Sequence, residues 1–296
     1  MDQRWAKNGP KMGKGLKSTM ISVSVTAGVI YLVVVAYMYA FQRNMLYYPN
    51  VVKPARLQSG VADMEEVVFT TEDGLDLFAW YAPPQDPAKP TVVIFHGNGG
   101  NVGDRGFKAR LFIGDGYGVM LAEYRGYAGN PGAPSEQGLY ADARAALNYL
   151  QGRGVEGADL VLYGESLGTG VATAMAIEAQ KRAKPVAAMV LEAPFTSAAD
   201  VGASHYPFLP VRLLIKDRFN SRVRMAALHV PVLIIHGEQD KTVPIKFGKR
   251  LFDAANEPKE SLWVQEAAHN DLFDNGVSAR VLDFLARYAV GTRTGL

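Results

Sequence analysis

The strongest chemical signal in the sequence is a serine with glycines two positions before and two positions after it, in the run Gly164-Glu165-Ser166-Leu167-Gly168. Residues 160–163 are apolar, as in a short strand buried on both faces, and residues 169–176 are rich in alanine, which favours a helix. The serine is therefore predicted on a tight strand-to-helix turn, where its hydroxyl projects from the sheet edge at a helix N-terminus. The alternative is a glycine-rich turn without chemistry, but the flanking strand and helix patterns favour a nucleophile.

A serine nucleophile needs a base to take its proton, and histidine is the usual base. His96 and His236 each end an apolar, strand-like run and precede glycine, so we interpret both as structural residues. His205 and His229 lie in connecting segments. His269 follows a strand-like run at 262–264 and precedes a final amphipathic stretch, so it is the candidate base.

The histidine in turn needs an acid to orient it. Asp240 follows the strand-like run 232–235 after a few residues, on the loop that must reach the histidine. Glu238 in the same loop is the rival acid. We favour Asp240 because it lies just past the strand end.

A glycine-rich loop can supply the backbone donors that stabilise an oxyanion. The buried strand at 91–95 runs into His96-Gly97-Asn98-Gly99-Gly100-Asn101, where few side chains obstruct the backbone N–H groups. The amides of Asn98 and Leu167 are the candidate donors. A phosphate cradle is the alternative, but the loop lacks the Lys-Ser/Thr ending of a P-loop and the GxGxxG pattern of a dinucleotide site.

These motifs resemble the α/β-hydrolase superfamily, and more narrowly its membrane-anchored serine hydrolases. The likeness covers about residues 45–290 and is carried by HGNGGN at 96–101, YRGY at 124–127, GESLG at 164–168 and HGEQDKTVP at 236–244. The chain order serine, acid, histidine also matches that superfamily. One departure is Glu123, where many relatives have aspartate. The resemblance implies hydrolysis of an ester, thioester or amide through an acyl-serine, without metal or cofactor.

The elements expected to position these residues alternate along the chain. A hairpin is predicted from 65–70 and 75–81, followed by buried parallel strands at 91–95, 119–123, 160–163, 187–191, 232–235 and 262–264. Helices are predicted at 135–150, 169–181, 245–255 and 278–288. Such alternation predicts an α/β-hydrolase fold, with a mostly parallel sheet and helices on both faces.

The alternation breaks at about residues 197–227, which corresponds to the lid position of this fold and predicts a small cap. Candidate contacts for an acyl chain are Phe195, Tyr206, Phe208 and Leu209. The alternative for each is ordinary packing of the cap onto the core.

Composition is consistent with one soluble catalytic domain plus one membrane anchor. The chain has 296 residues, a net charge of +2 and no cysteine, which excludes a thiol nucleophile, a disulfide framework and a cysteine zinc site. We predict a basic tail at 1–18, an anchor at 19–40, a connector at 41–61, a catalytic domain at 62–290 and a C-terminal tail at 291–296. The sequence makes no prediction of the oligomeric state.

Residues 19–40 contain no charged side chain and are long enough to span a bilayer as a helix. A cleavable signal peptide is the rival, but the stretch exceeds its usual apolar region of about 7–15 residues, and 37–40 offers no good cleavage site. Basic residues cluster before the span, namely Arg4, Lys7, Lys11, Lys14 and Lys17. The positive-inside rule then predicts a cytoplasmic N-terminus and an external catalytic domain. This topology explains the basic run more simply than nucleic-acid binding does, so no nucleic-acid partner is predicted.

Three functions remain open from the sequence. The first is a membrane-tethered hydrolase of carboxylic esters or thioesters, with a lipid or small-molecule ester as its partner. The second is a peptidase or aminopeptidase, which would need acidic groups for a substrate amine, with Glu123, Glu165 and Glu192 as candidates. The third is a catalytically silent binding scaffold, against which the intact nucleophile, acid, base and oxyanion loop argue.

Overall fold

The computed structural model describes residues 14–291, and its contacts divide the chain into two units, 1–42 and 43–296. The predictions for Arg4, Lys7 and Lys11, and for nearly all of the C-terminal tail, lie outside the described residues. The first helix runs from Lys14 to Leu46, so it is longer than the predicted span of 19–40. Its part Lys17–Leu46 is long and apolar enough to cross a membrane. The first residues of the predicted connector therefore continue the helix.

The remaining elements alternate between strands and helices as the sequence predicts. In chain order, the elements are α1 (Lys14–Leu46), β1 (Tyr48–Pro49), β2 (Glu65–Thr70), β3 (Asp76–Ala82), β4 (Thr91–Phe95), β5 (Gly99–Gly100), α2 (Gly106–Gly114), β6 (Gly118–Ala122), α3 (Glu136–Gln151), β7 (Leu160–Glu165), α4 (Leu167–Lys181), β8 (Ala188–Glu192), α5 (Ala198–His205), α6 (Val211–Leu214), α7 (Ser221–Met225), β9 (Val232–Gly237), α8 (Lys246–Ala254), β10 (Lys259–Val264) and α9 (Ser278–Tyr288).

Within the described residues, the main sheet has eight strands in the order β10-β9-β8-β7-β4-β6-β3-β2. Only the pairs β2–β3 and β3–β6 are antiparallel. The strands β4, β6, β7, β8 and β9 are buried along their whole length, as their aliphatic runs predict for strands covered on both faces. The predicted fold class is confirmed. The edge strand β10 begins at Lys259, earlier than predicted. Its first residues are polar and half-buried, so they lack the apolar pattern from which the buried strands were predicted.

A second, two-stranded sheet joins β1 to β5 in parallel, with Tyr48 opposite Gly99 and Pro49 opposite Gly100. The sequence placed these residues in a connector and in a loop. Strands of two residues have no readable periodicity, and this pairing joins segments far apart in the chain. The consequence is that the chain leaving α1 lies directly on the glycine-rich loop.

The predicted cap region, 197–227, contains the three short helices α5, α6 and α7. Ser197 caps α5 by accepting a hydrogen bond from the Asp200 N–H. Pro210 is the N-cap of α6. Proline is tolerated there because the N–H groups at a helix start have no acceptor within the helix, so the N–H that proline lacks costs no helical hydrogen bond. The segment that looked irregular in the sequence is therefore mostly short helical turns.

Candidate active site

Ser166 lies between the end of β7 and the start of α4. Its backbone has φ +47° and ψ −112°, a conformation that residues other than glycine rarely adopt. Two glycines make the turn possible. A Cβ atom on Gly164 would lie 2.6 Å from the Gly168 carbonyl oxygen, and one on Gly168 would overlap the carbonyl oxygen of Phe95. The Ser166 N–H donates to the Glu192 carbonyl oxygen at 2.8 Å, which ties the turn to the end of β8.

The structure brings Ser166, His269 and Asp240 together. The Ser166 Oγ lies 2.9 Å from His269 Nε2, and His269 Nδ1 lies 2.6 Å from Asp240 Oδ2. His269 is on the loop after β10 and Asp240 on the loop after β9, so both residues come from the carboxyl ends of parallel strands. Glu238, the rival acid, is exposed, and no hydrogen bond joins it to His269 in the described part of the chain.

Asp240 is buried, and its second oxygen, Oδ1, accepts hydrogen bonds from the N–H groups of Thr242 and Val243, both at 2.8 Å. Burial alone would raise the pKa of Asp240, but hydrogen bonds from His236 and His269 outweigh it and hold the pKa well below its usual range. The Asp240 carboxylate is therefore ionised, and it can accept hydrogen bonds but cannot donate one. Nδ1 of His269 must then carry the proton, which leaves Nε2 free to accept the Ser166 hydroxyl proton.

His236 has a closer relation to the site than its interpretation as a strand-end residue implied. Its Nε2 lies 2.7 Å from the Val243 carbonyl oxygen and 3.2 Å from Asp240 Oδ2. Two imidazoles therefore face one carboxylate. His96 does have the structural role predicted from its position, because its Nε2 lies 2.7 Å from Glu123 Oε1 in the buried floor of the glycine-rich loop.

The two predicted oxyanion donors are Asn98, which lines the same cavity as Ser166, and Leu167, which directly follows Ser166 in the chain. The Asn98 carbonyl oxygen accepts from the Tyr48 N–H at 2.9 Å and from the Tyr127 hydroxyl at 2.8 Å. Among the described residues, no group accepts a hydrogen bond from the N–H of Asn98 or of Leu167. Leu167 is the first residue of α4, where the helix dipole also favours negative charge.

A cavity of about 430 Å³ opens beside Ser166. Its wall includes the glycine-rich loop, His269, Asn270, Thr242 and three residues that sequence reasoning missed, Arg105, Phe107 and Lys108. Arg105 is the N-cap of α2, and Phe107 and Lys108 lie in the first turn of this helix, which the sequence pattern did not predict. The signal available was weak, since a helix that mixes Phe, Lys, Arg and Leu has no clear apolar stripe.

The four predicted acyl contacts do not line this cavity. Phe195 is 4% exposed and packs in the main core, whereas Tyr206 and Phe208 are exposed in the cap at 37% and 62%. Leu209 is half-buried. Nothing in the local sequence distinguished the cap residues Tyr206, Phe208 and Leu209 from Phe107 and Lys108 of α2, which do line the cavity.

A network of buried ion pairs lines the same cavity as Ser166. Lys108 Nζ pairs with Glu165 and lies 2.6 Å from Glu192 Oε2, and Arg105 Nε lies 2.9 Å from Glu165 Oε2. The Tyr163 hydroxyl completes the network with a 2.5 Å hydrogen bond to Glu192 Oε2. Removing one partner from such a buried pair typically costs about 3–5 kcal/mol, because the other charge is left uncompensated.

The network also sets the charge states around the cavity. Burial alone would lower the pKa of Lys108, but the carboxylates of Glu165 and Glu192 outweigh it, so its pKa is raised. Burial would likewise raise the pKa of Glu165, but Lys108 and Arg105 hold it below its ordinary value. The negative charges of Glu165 and Glu192 are thus balanced by the positive charges of Lys108 and Arg105.

A parallel sheet, a serine on a strained strand-to-helix turn, and an acid and a histidine on the loops after β9 and β10 define an α/β hydrolase. The family described as serine aminopeptidase, S33, matches residues 86–221. The chain belongs to the α/β-hydrolase family.

Particular relatives are consistent with this class. The chain is 42% identical over 289 residues to the Mycobacterium tuberculosis protein Rv2307c. This match covers 95% of this chain and 97% of Rv2307c. It is 33% identical over 195 residues to the lysophosphatidylserine lipase ABHD12 of Danio rerio, covering 61% of this chain and 51% of the lipase. The solved structure of the Pyrococcus furiosus esterase Pf2001 shares the fold, with a TM-score of 0.64 at 19% identity over 82% of this chain and 99% of that one.

Proposed function

We propose that this chain is a membrane-anchored serine hydrolase that cleaves carboxylic esters or thioesters of lipids or acylated small molecules. The observation that carries the proposal is the continuous hydrogen-bonded line from Ser166 Oγ through His269 to Asp240, with distances of 2.9 Å and 2.6 Å. That arrangement matches a nucleophile, its general base and the acid that orients the base.

In the proposed mechanism, His269 Nε2 takes the hydroxyl proton as Ser166 Oγ attacks the substrate carbonyl carbon. The N–H groups of Asn98 and Leu167 stabilise the oxyanion that forms. His269 then gives the proton to the leaving alcohol or thiol, and the acyl group remains on the serine. A water molecule, activated by His269 in the same way, releases the acid. No step uses a metal or a cofactor.

The aminopeptidase alternative requires a carboxylate that is free to bind a substrate amine. Glu165 and Glu192 line the cavity, but both are paired with Lys108. Glu123 is buried and already accepts hydrogen bonds from the N–H groups of Val102 and Tyr124, in addition to its contact with His96. This pairing favours ester over aminoacyl substrates, and so does the likeness to a lysophosphatidylserine lipase.

A substrate panel with an activity-based probe tests the proposal. We expect the full-length protein in detergent to react with a fluorophosphonate probe and to hydrolyse p-nitrophenyl esters and thioesters well above aminoacyl p-nitroanilides. Absence of labelling would overturn the serine hydrolase and favour the binding scaffold. Preferential cleavage of aminoacyl amides would instead favour the aminopeptidase.

The membrane part of the proposal rests on the apolar helix Lys17–Leu46 and on the basic residues before it. We propose an uncleaved anchor with a cytoplasmic N-terminus and an external catalytic domain. The chain has no native cysteine, so single cysteines can report on topology. We expect an impermeant maleimide added to intact cells to label Thr292→Cys protein and to leave Gln3→Cys protein unlabelled. The opposite pattern would reverse the orientation.

A further inference from the structure

The chain that leaves the membrane helix is hydrogen-bonded to the loop that carries the proposed oxyanion donor. We call residues 46–52 the exit segment and residues 96–101 the oxyanion loop. The Tyr48 N–H donates to the Asn98 carbonyl oxygen at 2.9 Å, and the Asn98 side-chain Nδ2 donates to the Leu46 carbonyl oxygen at 2.9 Å. The exit segment therefore holds both the backbone and the side chain of Asn98.

The contact continues along both segments. Tyr48 and Pro49 pair in parallel register with Gly99 and Gly100, and the Asn50 N–H donates to the Gly100 carbonyl oxygen at 3.1 Å. Farther along, Asn101 Nδ2 donates to the Val52 carbonyl oxygen at 3.0 Å. The exit segment thus follows the oxyanion loop from Asn98 to Asn101.

The oxyanion loop needs such support because glycine follows and precedes Asn98. Gly97, Gly99 and Gly100 have a wide choice of backbone conformation, and Gly100 has φ +78°. The direction of the Asn98 N–H is consequently not set by local backbone preference. An oxyanion donor is effective only if it is held in place before the reaction.

The exit segment contributes few buried side chains beyond Tyr47. Tyr48, Val51 and Val52 are 57%, 63% and 69% exposed. Its contribution at these positions is therefore mainly hydrogen bonding to the loop. A segment that served only to cover the core would bury its side chains instead.

We propose that the exit segment is a positioning element for catalysis, which orients the Asn98 N–H toward the developing oxyanion. The inference rests on the proposed function, since it assigns a role within that same site. It makes the first residues after the membrane helix part of transition-state stabilisation. The Tyr127 hydroxyl shares the Asn98 carbonyl oxygen, so loss of the exit-segment contacts weakens the support without abolishing it.

The test compares Tyr48→Pro with Tyr48→Ala in the full-length protein in detergent. Both changes remove the exposed ring and its hydroxyl bond to the Met45 carbonyl oxygen, but only proline also removes the N–H that Asn98 accepts. On p-nitrophenyl butyrate, we expect kcat of the proline variant to be at least about tenfold below that of the alanine variant, with KM within about twofold. Fluorophosphonate labelling should slow by a similar factor.

The melting temperatures of the two variants are measured as well, and kcat is determined well below both of them. A difference in kcat at that temperature then reports on the position of the oxyanion donor and not on partial unfolding. Equal kcat in the two variants, with active wild-type protein, would overturn the inference alone. Wild-type protein that neither hydrolyses nor labels would overturn the proposed function instead. If the proline variant does not fold, Asn98→Ala decides, because it removes the bond to Leu46 and retains the N–H. In that variant, a lowered kcat at constant KM supports the inference, and an unchanged kcat overturns it.

Discussion

Ser166→Ala protein is expected to lose at least about a thousandfold in kcat/KM on p-nitrophenyl esters and to lose fluorophosphonate labelling entirely. The hydroxyl forms the covalent bond in the proposed mechanism, and among the described residues no other group is hydrogen-bonded to His269 Nε2. The residual rate would come from the oxyanion donors and from binding alone. Enzyme kinetics on the purified variant measure the loss.

The control for this change is Ser204→Ala, which removes a hydroxyl from the exposed end of α5. It should keep activity within about twofold of wild type. The Ser166→Ala fold should remain intact, because alanine removes only the hydroxyl and keeps the same backbone. Esterase activity retained by pure Ser166→Ala protein would remove the serine from the role of nucleophile.

Asp240→Asn is expected to lower kcat by about a thousandfold or more, because the amide no longer selects the His269 tautomer with its proton on Nδ1. The change preserves shape, so KM should shift far less than kcat. Asp240 also receives backbone hydrogen bonds from Thr242 and Val243, and the asparagine oxygen can retain these. Steady-state kinetics with a circular dichroism check on folding would measure the effect.

The matched control is Glu238→Gln in the same loop. Glu238 is exposed, so this change should leave kcat within about twofold of wild type. If Glu238→Gln proved the more damaging substitution, the orienting acid would be Glu238.

The sequence predicted the parallel sheet because buried strands have an unmistakable local pattern. The fully buried strands β4 and β7 were found within a residue or two of their observed bounds. The same logic led to Ser166, Asp240 and His269, since each follows a strand whose carboxyl end meets the others at one sheet edge. Their geometry agrees with the expectation, and their catalytic roles stay a prediction.

What the sequence missed depends on contacts between distant segments. Lys108 is recognisable as part of the site only once Glu165 and Glu192 are brought beside it by β7 and β8. The pairing of Tyr48 with Gly99 involves backbone groups, which carry no side-chain signal. Three of the four acyl contacts were predicted in the cap because apolar residues are available there, whereas Phe107 and Lys108 of α2 are part of the cavity wall.

Arg43, in the last turn of α1, pairs with Asp217 in the cap through two hydrogen bonds of 2.8 Å and 3.1 Å. Asp217 is 3% exposed and also accepts the Glu136 N–H at the start of α3. A protease cut just after Arg43 would therefore leave a buried carboxylate without its counter-charge. Residues 44–296 alone would therefore not be equivalent to the same residues in the full-length chain, because Asp217 in the cap would lack the Arg43 guanidinium.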